Sequence, residues 1–362
     1  MMLKKTLWQL FIVVLSAYCA SCTSYGPYKD IGPTSSWGTA GPPQFSGSTA
    51  PGKVRFLVLS DSHGYDKENL VLSQKTWARH LVFWGKNQDT GFVNTAAVLA
   101  AAGRGQLPDF IVLPGDLTVD GELASHQMLA GFLDGFRVAN PSVPVYVTTG
   151  NHDVNSPQAR RHGRLFTVPT LSVSPAGFAS VYNHYGFLQA LSRDTESLSY
   201  VVEPVPGLAL LMLDTASWHK NMYFPIRLSN TKGLIRESTL DWMEQALAEA
   251  RRLDMMIVVV QHHPLAAEVP GSKPESRKHE PRKPDPMNSI QAAALYRCYD
   301  VALMVTGHRH QLNLDLGATM PRITAPSLAS SPAYAMLVSL GQDGVTVQLD
   351  PYGFGAPEGH SD

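Results

Sequence analysis

The chain has 362 residues, a formal net charge of -1, 44% hydrophobic residues and 16% charged ones. That near-neutral balance removes any global electrostatic case for nucleic-acid binding, and the apolar fraction suffices for one large core or two modest ones. Thirteen histidines against three cysteines make imidazole the side chain whose placement needs explaining.

At the start, Lys4 and Lys5 precede the apolar run Leu7 to Tyr18 and the small residues Ala20 and Ser21. The run is too short for an ordinary membrane span and has the layout of a bacterial export signal over residues 1–22. Cys22 resembles the acylated cysteine of bacterial lipoproteins, although Cys19 stands where that signal usually carries Leu. The expectation is an exported, periplasmic or cell-envelope protein, lipid-anchored if Cys22 is acylated, with a simply cleaved signal as the alternative. Residues 23–52 read as a flexible tether, because Ile31 through Gly52 carry no charge and much Gly, Pro, Ser and Thr. Only Cys298 lies beyond this region, so no intramolecular disulfide supports the domain.

The catalytic domain is expected over residues 53–352, with 353–362 as a tail. Short apolar runs predict strands over Val54–Ser60, Phe110–Leu113, Val143–Thr149, Leu208–Leu213, Met256–Val260 and Val301–Thr306. Helical periodicity separates them at Thr90–Ala102, Leu123–Val138, Phe178–Leu191, Ser238–Leu253 and Ser289–Tyr299, with Ser238 and Asp241 forming a capping signal. After Arg309 the pattern changes to a hairpin, Ala335–Leu340 and Val345–Leu349, around Gly341-Gln342-Asp343-Gly344. Asn155–Pro175 and the Pro-rich Pro270–Pro286 read as long loops; the second is a solvated excursion or a substrate-facing lid. The alternation argues an α/β layered fold.

Five of these six strands finish in carboxylate, carboxamide or imidazole groups: Asp61-Ser62-His63, Gly115-Asp116, Gly150-Asn151-His152-Asp153, Gln261-His262-His263-Pro264 and Gly307-His308-Arg309-His310. One such end is more often a cap or a surface feature than a ligand. Five in order, at the edge where open α/β sheets place their sites, form a pattern that chance does not supply. Asn151, His152 and Asp153 together can ligate a metal, donate a proton and orient the donor.

This order of motifs resembles the calcineurin-like metallophosphoesterase superfamily, over roughly residues 54 to 315. The stretches Arg193–Glu203 and Leu211–Thr215 look like an exported bacterial branch similar to cyclic-nucleotide phosphodiesterases. The resemblance implies a four-layer α/β sandwich of two mixed sheets, with the late hairpin completing the second sheet and a dinuclear metal site at the strand ends. It implies that Asp61, His63 and His310 hold one ion, that Asn151, His262 and His308 hold the other, and that Asp116 bridges them. His263 takes a supporting role, and Arg309 that of a scaffold cation.

Nitrogen and carboxylate ligands without thiolate suit two divalent transition ions such as iron, manganese or zinc. A water shared by such a pair loses a proton near neutral pH and becomes the nucleophile. His152 would then protonate the departing oxygen, with Asp153 holding its other ring nitrogen. The expected activity is metal-dependent hydrolysis of a small phosphoester, a diester, with phosphomonoesterase or nucleotidase activity as the alternative. A binding protein on a degenerate scaffold is the alternative from another class; it would have lost ligands, and none is missing. No nucleic-acid polymer is expected as partner. Specificity would sit in loops 155–175, 215–235 and 265–288. The histidines at 80, 126, 162, 184, 219, 279 and 360 read as surface, loop or satisfied core residues, His219 being the one that could line the pocket.

Overall fold

A computed structural model describes residues 41–84, 90–223, 227–265, 289–318 and 320–349. The export signal, residues 23–40 of the tether, the 270–286 segment, His279, His360 and the tail lie outside the described residues.

A strand sends successive side chains to opposite faces, so one that is apolar throughout must be covered on both. Leu208–Leu213 is such a strand, with all six residues buried. Leu208, Leu210 and Met212 face the core between two sheets, where they join Phe56, Val58, Val258 and Val338. Ala209, Leu211 and Leu213 pack with Trp242, Met243 and Leu247 of the helix Glu237–Arg252 and with Tyr296 of Ser289–Cys298. On the other side the inter-sheet core continues to Val98 and Leu99 of Gly91–Arg104 and to Leu129 and Leu133 of Leu123–Ala139. The layers therefore run helix, sheet, sheet, helix.

The first sheet contains β1 (Lys53–Val58), β2 (Phe110–Pro114), β3 (Val145–Thr148), β13 (Met336–Gly341) and β14 (Gly344–Leu349), in the order β14-β13-β1-β2-β3. The second contains β6 (Ser192–Arg193), β7 (Tyr200–Val202), β8 (Leu208–Leu213), β9 (Met256–Gln261), β10 (Leu303–Thr306), β11 (Asn313–Asp315) and β12 (Arg322–Thr324). Its order is β11-β12-β10-β9-β8-β7-β6. Within the first sheet β1, β2 and β3 are parallel; within the second β8, β9, β10 and β12 are. Both sheets are mixed, since β13 runs antiparallel to β1 and β7 antiparallel to β8. Parallel strands end at one edge, so the polar motifs after β1, β2 and β3 meet those after β9 and β10.

Several expectations are corrected. The late hairpin forms, but it pairs with β1 in the first sheet and does not complete the second. The expected helix Phe178–Leu191 is Pro175–Val181, followed by a wider turn over Asn183–Phe187. Gly186 breaks it at φ 123°, where a Cβ would meet the Tyr200 hydroxyl at 2.1 Å. Helix Glu237–Arg252 starts after Arg236 with no side-chain cap bond, so Ser238 lies inside the helix and does not cap it. The 155–175 segment contains a small hairpin, β4 (Arg160–His162) with β5 (Thr167–Pro169).

The supposed tether is ordered from residue 41. Pro43 is buried, Phe45 packs on the helix-covered face of the second sheet, and the Ser46 backbone N–H donates to Glu203 at 2.7 Å. Uncharged composition signalled weak self-ordering, and contacts with the domain supply the order instead.

Candidate metal centre

Each turn that follows a motif strand is held by its neighbour. Asp61 N–H donates to Gly115 O at 3.3 Å and His63 N–H to Asp116 O at 3.0 Å. Close approach requires missing side chains: a Cβ on Gly150 would lie 2.2 Å from Asp116 Oδ1, and one on Gly307 would lie 2.4 Å from Asp61 Oδ2. Among the described residues, five of the eight non-glycine positions with positive φ are Asp61, His63, Asp116, His308 and His310. Left-handed backbone costs such residues about 1–3 kcal/mol each and persists only where the surroundings over-determine it.

The bends aim seven side chains inward. Asp61, His63, Asp116 and His310 place donor atoms within 4.8 Å of one another. His63 Nε2 lies 2.9 Å from His310 Nε2 and 3.5 Å from Asp116 Oδ2, and His310 Nε2 lies 3.2 Å from Asp61 Oδ1. Beside them His262 Nε2 stands 3.2 Å from Asn151 Oδ1, 3.2 Å from His308 Nδ1 and 3.3 Å from Asp116 Oδ2. The same oxygen of Asp116 is thus a corner of both groups.

Bonds of about 2.0–2.2 Å at tetrahedral or octahedral angles set ligand-to-ligand edges of roughly 3–3.5 Å. The observed spacings fall on such edges, with 3.9 Å between His63 Nε2 and Asp61 Oδ1 the wider one. Two imidazole nitrogens aimed at each other over 2.9 Å need a cation or a proton between them. The donor set therefore fits divalent ions.

The electrostatics agree. Burial alone would raise the Asp116 carboxyl, but the facing imidazoles of His262, His152 and His63 outweigh it and hold Asp116 well below the usual range. Burial likewise favours neutral His262, yet Asp116 and Asp61 draw it up to about 9. Ion binding must displace such protons. Nδ1–H of His262 donates to Pro114 O at 2.9 Å, which fixes the ring and leaves Nε2 for a ligand.

His263 also stands at the centre: with His262 and His308 it forms a second group of donor atoms within 4.8 Å of one another, while its Nδ1 meets Thr215 Oγ1 at 2.9 Å and its Nε2 faces Thr231 O at 3.3 Å. His219 bonds Arg236 on the exposed surface, and Arg309 is exposed. His152 is at the site, donating from its backbone to Asp116 Oδ1 at 3.0 Å.

The expected pairing of Asp153 with the His152 ring is replaced. Asp153 Oδ2 accepts from Gly150 N–H at 2.7 Å and Oδ1 from Leu117 and Thr118 N–H, so its carboxylate braces the two turns. His152 Nδ1 meets Val119 O at 2.6 Å and stands 3.4 Å from Asp120 Oδ1. A backbone carbonyl leaves no residue-type signal, and Asp120 sits outside every motif. Sequence reasoning therefore missed both.

The model of the family described as calcineurin-like phosphoesterase matches residues 54–312. The chain belongs to that family. Calcineurin-like phosphoesterases are hydrolases acting on ester bonds, and the His and Asp groups described above could bind metal. The chain is 24% identical over 213 residues to a "Probable cyclic nucleotide phosphodiesterase" of Rhodopseudomonas palustris, covering 58% of this chain and 57% of that protein. It is 23% identical over 171 residues to "Sphingomyelin phosphodiesterase 2" of Caenorhabditis elegans, covering 43% of this chain and 26% of that one. The matched stretches span about a quarter and somewhat over half of those relatives. A dimetal phosphatase of Danio rerio aligns at TM-score 0.49 and 12% identity, covering 83% of this chain and 99% of that chain.

Behind the centre, His126 is fully buried, with Tyr182 Oη 2.9 Å from Nδ1 and Asp153 O 2.9 Å from Nε2. Asp153 O accepts from Nε2–H, and the Tyr182 hydroxyl can donate to a bare Nδ1, an arrangement that the neutral ring satisfies. Burial pushes its pKa down from 6.5 to about 4. The unfolded chain thus takes up the proton first, so the stability His126 contributes is present above pH 6.5 and lost as pH falls toward 4. Urea unfolding at pH 7 and 4.5 is expected to show wild type losing roughly 2–3 kcal/mol more than His126→Gln. Equal losses would contradict a buried neutral His126.

Proposed function

We propose that this chain is a metal-dependent phosphodiesterase working outside the cytoplasm, on a small phosphoester. The observation that carries the dinuclear reading is Asp116 Oδ2, 3.5 Å from His63 Nε2 and 3.3 Å from His262 Nε2. Asp61, His63 and His310 would hold one ion and Asn151, His262 and His308 the other, with Asp116 between. Iron, manganese and zinc suit this donor set. When bound, the pair supplies an activated water and polarises the phosphoryl oxygens.

The chain's own contribution to the second half of the reaction is a placed proton. Nδ1 of His152 meets Val119 O, which orients the ring, and in the proposed reaction Nε2 would give the proton to the departing oxygen. Asp153 acts one step back, bracing the Gly150 and Leu117 turns that carry Asn151 and Asp116. The leaving alkoxide of either a monoester or a diester would take that proton; a diester is favoured by the names of the two curated relatives, both diesterases. The test is a metal-reconstituted comparison of paired bis- and mono-nitrophenyl phosphates, extended to an alkyl diester. Wild type is expected to favour the diesters, and His152→Ala to lose about 10²–10⁴-fold on the alkyl ester and far less on the nitrophenyl one. Equal losses on both would remove the general-acid role, and preference for the monoester would reassign the class.

Export and acylation at Cys22 belong to the same proposal; among the described residues no helix is long and apolar enough to cross a membrane. A clickable fatty acid is expected to label the wild-type chain and not Cys22→Ala. Label persisting in the variant would refute the anchor.

A further inference from the structure

The β4–β5 hairpin has a buried base and an exposed apolar tip. His162 is buried at its base, against Trp77 at 5.0 Å and Tyr65 at 5.6 Å between ring centroids. Leu72 N–H donates to His162 O at 2.8 Å and Thr76 Oγ1 to Gly163 O at 2.9 Å, so the 71–79 segment holds the hairpin from beside it. At the tip Leu165 and Phe166 are 78% and 68% exposed, and toward the base Leu72 and Leu171 are 59% and 55% exposed. Clustered large apolar side chains on a fixed support mark a docking surface.

The charges beside them have one sign. Residues 67–79 and 160–171 contain six Lys or Arg and one acidic residue, Glu68, in a chain whose net charge is -1. Lys75, Arg79, Arg161 and Arg164 are exposed among the leucines and the phenylalanine. We infer that this hairpin face docks the protein on an anionic phospholipid surface, with Leu165 and Phe166 entering the acyl boundary and the cations meeting lipid phosphates. A single-stranded nucleic acid would call for aromatic platforms on which bases stack. The tip carries one ring, Phe166, beside Leu165, and a single ring makes no run of platforms.

The hairpin also leads to the centre. Arg160 Nε lies 3.8 Å from Asp120 Oδ2, and Asp120 Oδ1 lies 3.4 Å from His152 Nδ1. A bilayer docked on the tip would therefore lie one short hairpin away from the site, which favours a phosphoester carried at the lipid surface. That consequence for the substrate rests on the phosphodiesterase reading; the docking itself does not, and the two fail separately.

The test is amide hydrogen exchange on the full chain, because a local readout separates the hairpin from any N-terminal attachment. With phosphatidylglycerol vesicles at about ten times the half-saturating concentration, exchange over 160–171 is expected to slow about tenfold. Phosphatidylcholine vesicles should have little effect, and Leu165→Ser with Phe166→Ser, or Arg161→Ser with Arg164→Ser, should abolish the slowing. Unchanged exchange in β8 would show that each variant is folded; if a double variant is not, Phe166→Ser alone replaces it. Exchange over 160–171 that ignores vesicles while the protein floats with them would overturn the proposal. So would slowing that survives in the folded variants, or that polyuridylate produces and vesicles do not.

Discussion

One oxygen atom joins the two halves of this protein's chemistry. Asp116 Oδ2 lies within 3.5 Å of imidazole nitrogens delivered by both sheets, His63 from the first and His262 from the second. Five strand ends must therefore agree in position. Gly150 lets β3 end against the Asp116 carboxylate, Gly307 lets β10 end against Asp61, and left-handed residues turn the side chains inward. The double-faced apolar strands make that agreement possible, because a core on either side of each sheet fixes its edge.

The same constraint explains the support around the centre. Asp153 braces the two turns that carry Asp116 and Asn151, and the neutral ring of buried His126 holds the Asp153 carbonyl from behind. Val119 and Asp120 orient His152. In the proposed reading, ligands, proton donor and brace are separate residues on shared turns, so the proposed donor can be altered without removing a proposed ligand.

Much of this was legible in the sequence, for a physical reason. Apolar runs buried on two faces are long and conspicuous, so β8 falls at Leu208–Leu213 as expected, and polar residues that break such runs mark the site edge. All seven expected ligands converge. Illegible were features that depend on partners distant in the chain. The helix expected to reach Leu191 ends at Val181, with Gly186 beyond it at positive φ against Tyr200, and the uncharged 41–52 stretch meets Glu203 and the second sheet. Asp153 was assigned to His152 by adjacency, whereas three backbone N–H groups claim its oxygens.

The central claim is that one carboxylate is shared by two ions. Metal stoichiometry of the reconstituted chain, measured by plasma mass spectrometry beside Asp116→Asn, tests it most directly. The account predicts two equivalents of a divalent transition ion in wild type and at most one in the variant, with both proteins folded. Wild type that saturates at one ion, or a folded Asp116→Asn that still retains two, would contradict it.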